Sequence, residues 1–136
     1  MRSIVLACAL LLCISFVAAD VEHRPKPTMP YPEIQITHHF IGSWRDGSRN
    51  NEMFTQYDVV IKNNGNRNIK QIVLGFDSTC RIRDGNAIWN MIVTDDGHSL
   101  VLPAIQDINA GASYTFGYIL YGNAPANLFV KNIFYN

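Results

Sequence analysis

From Ile34 onward the chain alternates apolar and polar residues with a period of two. Ile34, Ile36 and Phe40 share one parity over residues 33–44, and Met53, Thr55, Tyr57, Val59 and Ile61 share one parity over 52–62. Successive side chains of a strand point to opposite faces, so each run predicts a strand with one buried face. In the second run the alternate positions, Phe54, Gln56, Asp58, Val60 and Lys62, should face away from that core. Asn63-Asn64-Gly65-Asn66 reads as a turn, and Ile72, Leu74 and Phe76 alternate in the run beyond it. The two runs and their turn predict a hairpin. Further strands are predicted over 88–93, over 99–102 up to Pro103, over 112–121 and over 127–135. No segment carries a convincing helical period of ten residues or more. The pattern predicts an all-β antiparallel domain, a sandwich or a barrel.

The first residues follow a different pattern. Arg2 precedes an almost unbroken apolar run from Ile4 to Val17, and Val17-Ala18-Ala19 offers small residues to a signal peptidase. The run is short for a bilayer span, so residues 1–19 are expected to be a cleaved signal peptide and the protein to be secreted. Pro25, Pro27, Pro30 and Pro32 then make 20–33 a stiff, extended leader. The domain itself is expected over 34–136.

Charge narrows the choice of partner. The chain has 11 Lys and Arg against 11 Asp and Glu, and loss of Arg2 leaves the mature chain nearly neutral. It carries no basic stripe for nucleic acid, and after signal cleavage no segment to hold it in a membrane. Cys8 and Cys13 leave with the signal, so Cys80 remains alone and no internal disulfide can form. Two readings stand for it: a buried small hydrophobe, or a disulfide-linked dimer through Cys80. There is no Asn-x-Ser/Thr sequon.

A search for catalysis proposes no residue, no metal and no cofactor. His38 and His39 are adjacent, so on a strand they point to opposite faces and cannot share one metal. His23 lies in the leader and His98 in a turn. A glycosidase needs two carboxylates, but Asp46-Gly47, Asp84-Gly85 and Asp95-Asp96-Gly97 all read as turns.

The aromatics say more. Trp44 ends the first strand, Trp89 begins a later one, and Phe54 lies on the parity opposite the core with Gln56 beside it. The axial C–H groups of a pyranose pack on the negative face of an aromatic ring, while the hydroxyls at its rim need donors and acceptors. Trp44, Phe54, Gln56 and Trp89 are therefore the candidate carbohydrate-binding residues, and a polysaccharide the candidate partner.

Several motifs, taken in order, resemble carbohydrate-binding module family 49. They are Ile36-Thr37, Ser43-Trp44, Gln56-Tyr57-Asp58-Val59 and Lys62-Asn63-Asn64-Gly65, then Ile69 to Leu74, Ile88-Trp89-Asn90-Met91, Leu102-Pro103, Asn109 to Ile119 and Ala124-Pro125-Ala126. The resemblance covers about 34–135. It implies a β-sandwich that binds cellulose or a related β-glucan through surface aromatics, with Trp44, Trp89 and Phe54 at family aromatic positions. Such modules occur at the end of plant endoglucanases and in small secreted proteins of cellulose-making protists. It brings no hydrolase activity, which resides in the separate catalytic domain of the plant proteins. The family often carries a Trp shortly after the proline matching Pro103, where this chain reads Ala104-Ile105-Gln106. The expected protein is a non-catalytic, extracellular glucan binder of a matrix or coat. An adhesion lectin for other glycans, a matrix-loosening protein or hydrolase, and a structural matrix oligomer joined through Cys80 are the alternatives.

Overall fold

The computed structural model describes residues 30–136. The expectations for 1–19 and for most of the leader lie outside the described residues. Eight strands form two four-stranded antiparallel sheets, which confirms the all-β class and resolves sandwich against barrel. The first sheet runs β1 (Ile34–Asp46), β2 (Glu52–Asn63), β7 (Ser113–Tyr121), β4 (Ile88–Trp89) in spatial order. The second runs β5 (Ile92–Val93), β6 (Ser99–Val101), β3 (Ile69–Phe76), β8 (Leu128–Tyr135).

The period-two stripes make the core. Tyr57, Val59, Ile61, Phe116, Tyr118 and Leu120 point inward from the first sheet and meet Ile72, Leu74, Leu100 and Ile133 of the second. Fully burying such a side chain contributes about 1.5–3 kcal/mol, so this layer dominates the stability of a domain without a disulfide.

Two expectations about connectivity are corrected. β2 and β3 do not form a hairpin, because β2 pairs with β1 and β7 while β3 pairs with β6 and β8. The Asn63–Asn66 segment is an arch that carries the chain from one sheet to the other. Buried Asn63 pins it: its Nδ2 donates to the carbonyls of Arg67 (2.8 Å), Ile108 (3.0 Å) and Asn109 (3.3 Å), and its Oδ1 accepts from the Gly65 amide (3.0 Å). The hairpin lies earlier, between β1 and β2, over a single 3₁₀ turn at Gly47–Arg49. Asn50 and Asn51, both at positive φ, lead out of it.

The strand expected over 88–93 is likewise two strands in opposite sheets. Asn90 between them adopts φ 63°, a left-handed conformation that breaks a strand, and its carbonyl accepts a 2.6 Å bond from the Tyr114 hydroxyl. The remaining turn reading holds: Asp96 Oδ1 accepts from the His98 amide at 3.0 Å, and Gly97 takes φ 74° between β5 and β6.

Of three register shifts in the two sheets, two decide which residues reach the surface. The β1–β2 register shifts between Phe40 and Gly42. Before the shift the inward positions are Ile34, Ile36 and His38; after it Ser43 and Arg45 take the inner-face register, both exposed at the end of the strand, and Trp44 turns to the outer face opposite Phe54. Phe40, expected in the buried stripe, stands at the bulge and is 64% exposed. A second shift, on β8 between Val130 and Asn132, does the same on the other sheet.

Candidate functional site

The outer face of the first sheet gathers the predicted residues into three consecutive rows. Trp44, Phe54 and Tyr121 form the first row across β1, β2 and β7. Gly42, Gln56 and Ile119 form the second. The third crosses His39, Asp58, Gly117 and Trp89. Trp44 and Trp89 therefore share a face, with Gln56 between them both along the strands and across them. Their rows are four residues apart on β2, about 13 Å.

Trp89 owes its pose to Gly117. A Cβ placed on Gly117 would lie 2.4 Å from the indole Cε2 and Cζ2 and 2.5 Å from Nε1. Only a residue without a side chain lets the indole lie on the neighbouring strand, where it stays partly exposed. A shallow hydrophobic plane results, of the kind a sugar ring can stack on.

Phe54 departs from its expected role. Its parity does face away from the core, but it is 0% exposed. Tyr121 packs against it at 4.8 Å between ring centroids, and the guanidinium groups of Arg49 and Arg83 lie over the ring at 5.9 and 5.8 Å. Asp84 holds both arginines in place at 3.1 Å. Burial raises the pKa of Asp84, but the Asn86 amide and the two guanidinium groups outweigh it and hold the carboxyl below its ordinary value. Phe54 is thus a floor for the surface and cannot itself stack on a ligand. Sequence reasoning missed Tyr121, Arg49, Arg83 and the glycine under Trp89, because cross-strand register brings the tyrosine and glycine here and two separate loops bring the arginines.

The other candidates take ordinary places. His38 points inward and pairs with the Tyr118 hydroxyl at 2.5 Å, while His39 lies on the outer face, so the two diverge as their adjacency required. Among the described residues no three His, Cys, Asp or Glu side chains come together to hold a metal. Cys80 is free, half-buried and packed against the core. Burial, followed by the charge of Asp77, pushes its thiol up to about 11, which keeps the reactive thiolate scarce and disfavours its oxidation. The Pro103 loop lies on the other sheet, lining an open cleft with Gln71 and Phe134. An aromatic at Ala104 or Ile105 would not have joined Trp44 and Trp89, so its lack takes nothing from their face.

A sequence model of the carbohydrate binding domain CBM49 matches residues 34–121, which hold β1 to β7 and both tryptophans. The chain belongs to the CBM49 family. Two relatives extend the match over the whole chain: stalk-specific proteins A and B of Dictyostelium discoideum, each 40% identical over 98% of this chain and 99% of the relative. Solved structures show the same fold within larger proteins. A chitinase, ChiA74 from Bacillus thuringiensis, superposes with TM-score 0.51 at 24% identity, covering 75% of this chain but 15% of the chitinase. An exo-β-N-acetylglucosaminidase from Vibrio harveyi superposes with TM-score 0.53 at 12% identity, over 67% of this chain and 13% of the enzyme. This CBM49 domain is a carbohydrate-binding module, and its partner is a carbohydrate.

Proposed function

We propose that the protein is a secreted, non-catalytic binder of cellulose or a related β-glucan, acting in an extracellular matrix or coat. One observation carries the reading: Trp89, laid flat over Gly117, shares the outer face of the first sheet with Trp44, and Gln56 stands between them. Two platforms about 13 Å apart along the strands suit an extended chain of sugars better than a single small one. Gln56 supplies an amide to the hydroxyls between the platforms. Phe54 supports the surface from beneath. The apolar run at 4–17 with its small-residue exit supports secretion, and the stalk-specific character of the relatives supports a matrix role.

The test is co-sedimentation of the purified protein with microcrystalline cellulose, beside a glycan panel of short soluble sugars and extended β-glucans. The protein is expected in the pellet, and the Trp44→Ala/Trp89→Ala variant in the supernatant. Wild-type protein left in solution, or a variant that pellets as well as wild type, would overturn the reading.

A further inference from the structure

We propose that the outer face of the second sheet is a second glycan platform, so that one domain bridges two polysaccharide chains. The proposal rests on the reading of the first face as a glucan-binding surface and adds a site on the opposite side of the sandwich. It is built on β8, which lies beyond the residues matched by the CBM49 sequence model.

The second face repeats the construction of the first with different residues. Phe129, 42% exposed, lies across Gly75 of β3. A Cβ on that glycine would fall 2.4 and 2.6 Å from the ring Cε2 and Cζ, and 2.8 Å from Cδ of Lys131. The ring is laid on the neighbouring strand as Trp89 is laid on Gly117. Phe134, 50% exposed, stands on the same face opposite Gln71. It does so only because of the bulge at Lys131, since strict alternation from Phe129 would turn Phe134 into the core. Gly75 and Gln71 are four residues apart, the same step that separates the rows of Trp44 and Trp89. Asn132 sits between the two rings as Gln56 sits between the two tryptophans. Among the described residues the hydrogen bonds to its side chain, from the Ile133 amide and the Tyr31 hydroxyl, both fall on Oδ1, and its Nδ2 donors face a ligand.

Beyond Phe134 the surface opens into a cleft of about 630 Å³ between Gln71, Pro103, Ile105 and Asp107. Ile105 at its rim is 101% exposed and holds φ 62°. That conformation is costly for a β-branched residue, and such strain gathers where a loop is kept in place for binding. The cleft continues the line of Phe129 and Phe134 and has room for further sugar units.

A glycan fits this face better than a second copy of the chain. The Phe129 ring lies against the sheet over Gly75, and polar Asn132, Lys131 and Gln71 are interleaved with the two rings. Lys131 at a bulge on an edge strand also guards against strand-to-strand pairing.

The test adds the protein to dispersed cellulose nanofibrils and measures both pelleting and fibril bundling, by turbidity and electron microscopy. Wild type is expected to pellet and to bundle. Phe129→Ala/Phe134→Ala is expected to pellet within about twofold of wild type but to bundle at least tenfold less. Phe134→Gln, at a half-exposed position, is expected to lose most of the bundling and carries the test if the double variant unfolds. Sedimentation equilibrium of the free protein is expected to give a monomer. A dimer dispersed by the double variant would make the face a contact between copies and overturn the proposal. Wild type that pellets without bundling, or a double variant that bundles normally, would overturn it and leave the first face standing. Wild type that fails to pellet at all would bring down the first reading, and this one with it.

Discussion

The two outer faces of the sandwich share a construction and differ in strength. Each lays an aromatic ring over a glycine of the adjacent strand, and each uses a bulge to bring a second aromatic to the same side. On the first face the rings are indoles, and a buried phenylalanine in the row of Trp44 is clamped by Tyr121 and two arginines tied to Asp84. On the second face the rings are half-exposed phenylalanines on an edge strand. The difference teaches that a flat aromatic is not enough for a firm platform. What supports the ring from below sets how rigid the plane is, and with it how little ordering a ligand must impose.

The largest effect should come from removing that support. Phe54→Ala empties a fully buried site and should cost about 3–5 kcal/mol of stability. Phe129→Ala, at a half-exposed site, should cost roughly half the full burial value of 1.5–3 kcal/mol. Urea unfolding of both variants checks the contrast; equal losses would mean that the two faces are supported alike.

Next comes binding. Stacking contributes about 1–3 kcal/mol per ring by analogy with bases. Losing Trp44 and Trp89 together should therefore weaken cellulose binding by about 2–6 kcal/mol, or roughly thirtyfold and upward. Depletion isotherms with each single variant would show whether the two platforms add.

A smaller effect separates the glycines. Gly117→Ala forces the indole off the strand and should cost about 1–3 kcal/mol as overpacking, with weaker cellulose binding. Gly75→Ala meets an equally close ring, but Phe129 stands on an edge strand and can swing into solvent, so its melting temperature should fall less. Thermal melts of the pair rank them.

The smallest effect is one of pH, and it belongs to the first sheet. Burial, and then the nearby charge of His39, hold His38 below its ordinary value of 6.5. A histidine with a depressed folded pKa takes up its proton more readily when unfolded. Its contribution is therefore whole above pH 6.5 and is lost as pH falls from there through the folded value. His38→Gln should flatten stability over that window, as read by urea unfolding between pH 5 and pH 7. Asp77 and Asp96, held low chiefly by the hydroxyls of Thr79 and Thr94, act at more acid pH.

Much of the fold was legible because alternation is local. The stripes at Tyr57–Ile61 and Phe116–Leu120 point inward as their parity required. What escaped was set by partners far along the chain. Asn63 to Asn66 has the composition of a hairpin turn, yet its arch depends on carbonyls at Ile108 and Asn109. The bulge at Ile41 inserts one residue and turns Trp44 over, which no pattern in 34–46 announces. Trp44, Gln56 and Trp89 were brought together on one face, whereas the burial of Phe54 depended on arginines in two separate loops.

The arch at Asn63 also governs how the protein folds. Because it sends consecutive strands to opposite sheets, β3 finds its neighbours only in β6 and β8, and Ile69 must wait for Tyr135. Such long-range pairing belongs to the slow end of single-domain folding, about milliseconds to seconds. A chain still being synthesised holds β3 without its last neighbour, and Ile72 and Leu74 stay uncovered until the final strand arrives. The arrival of β8 therefore decides when β3 and its apolar stripe are covered.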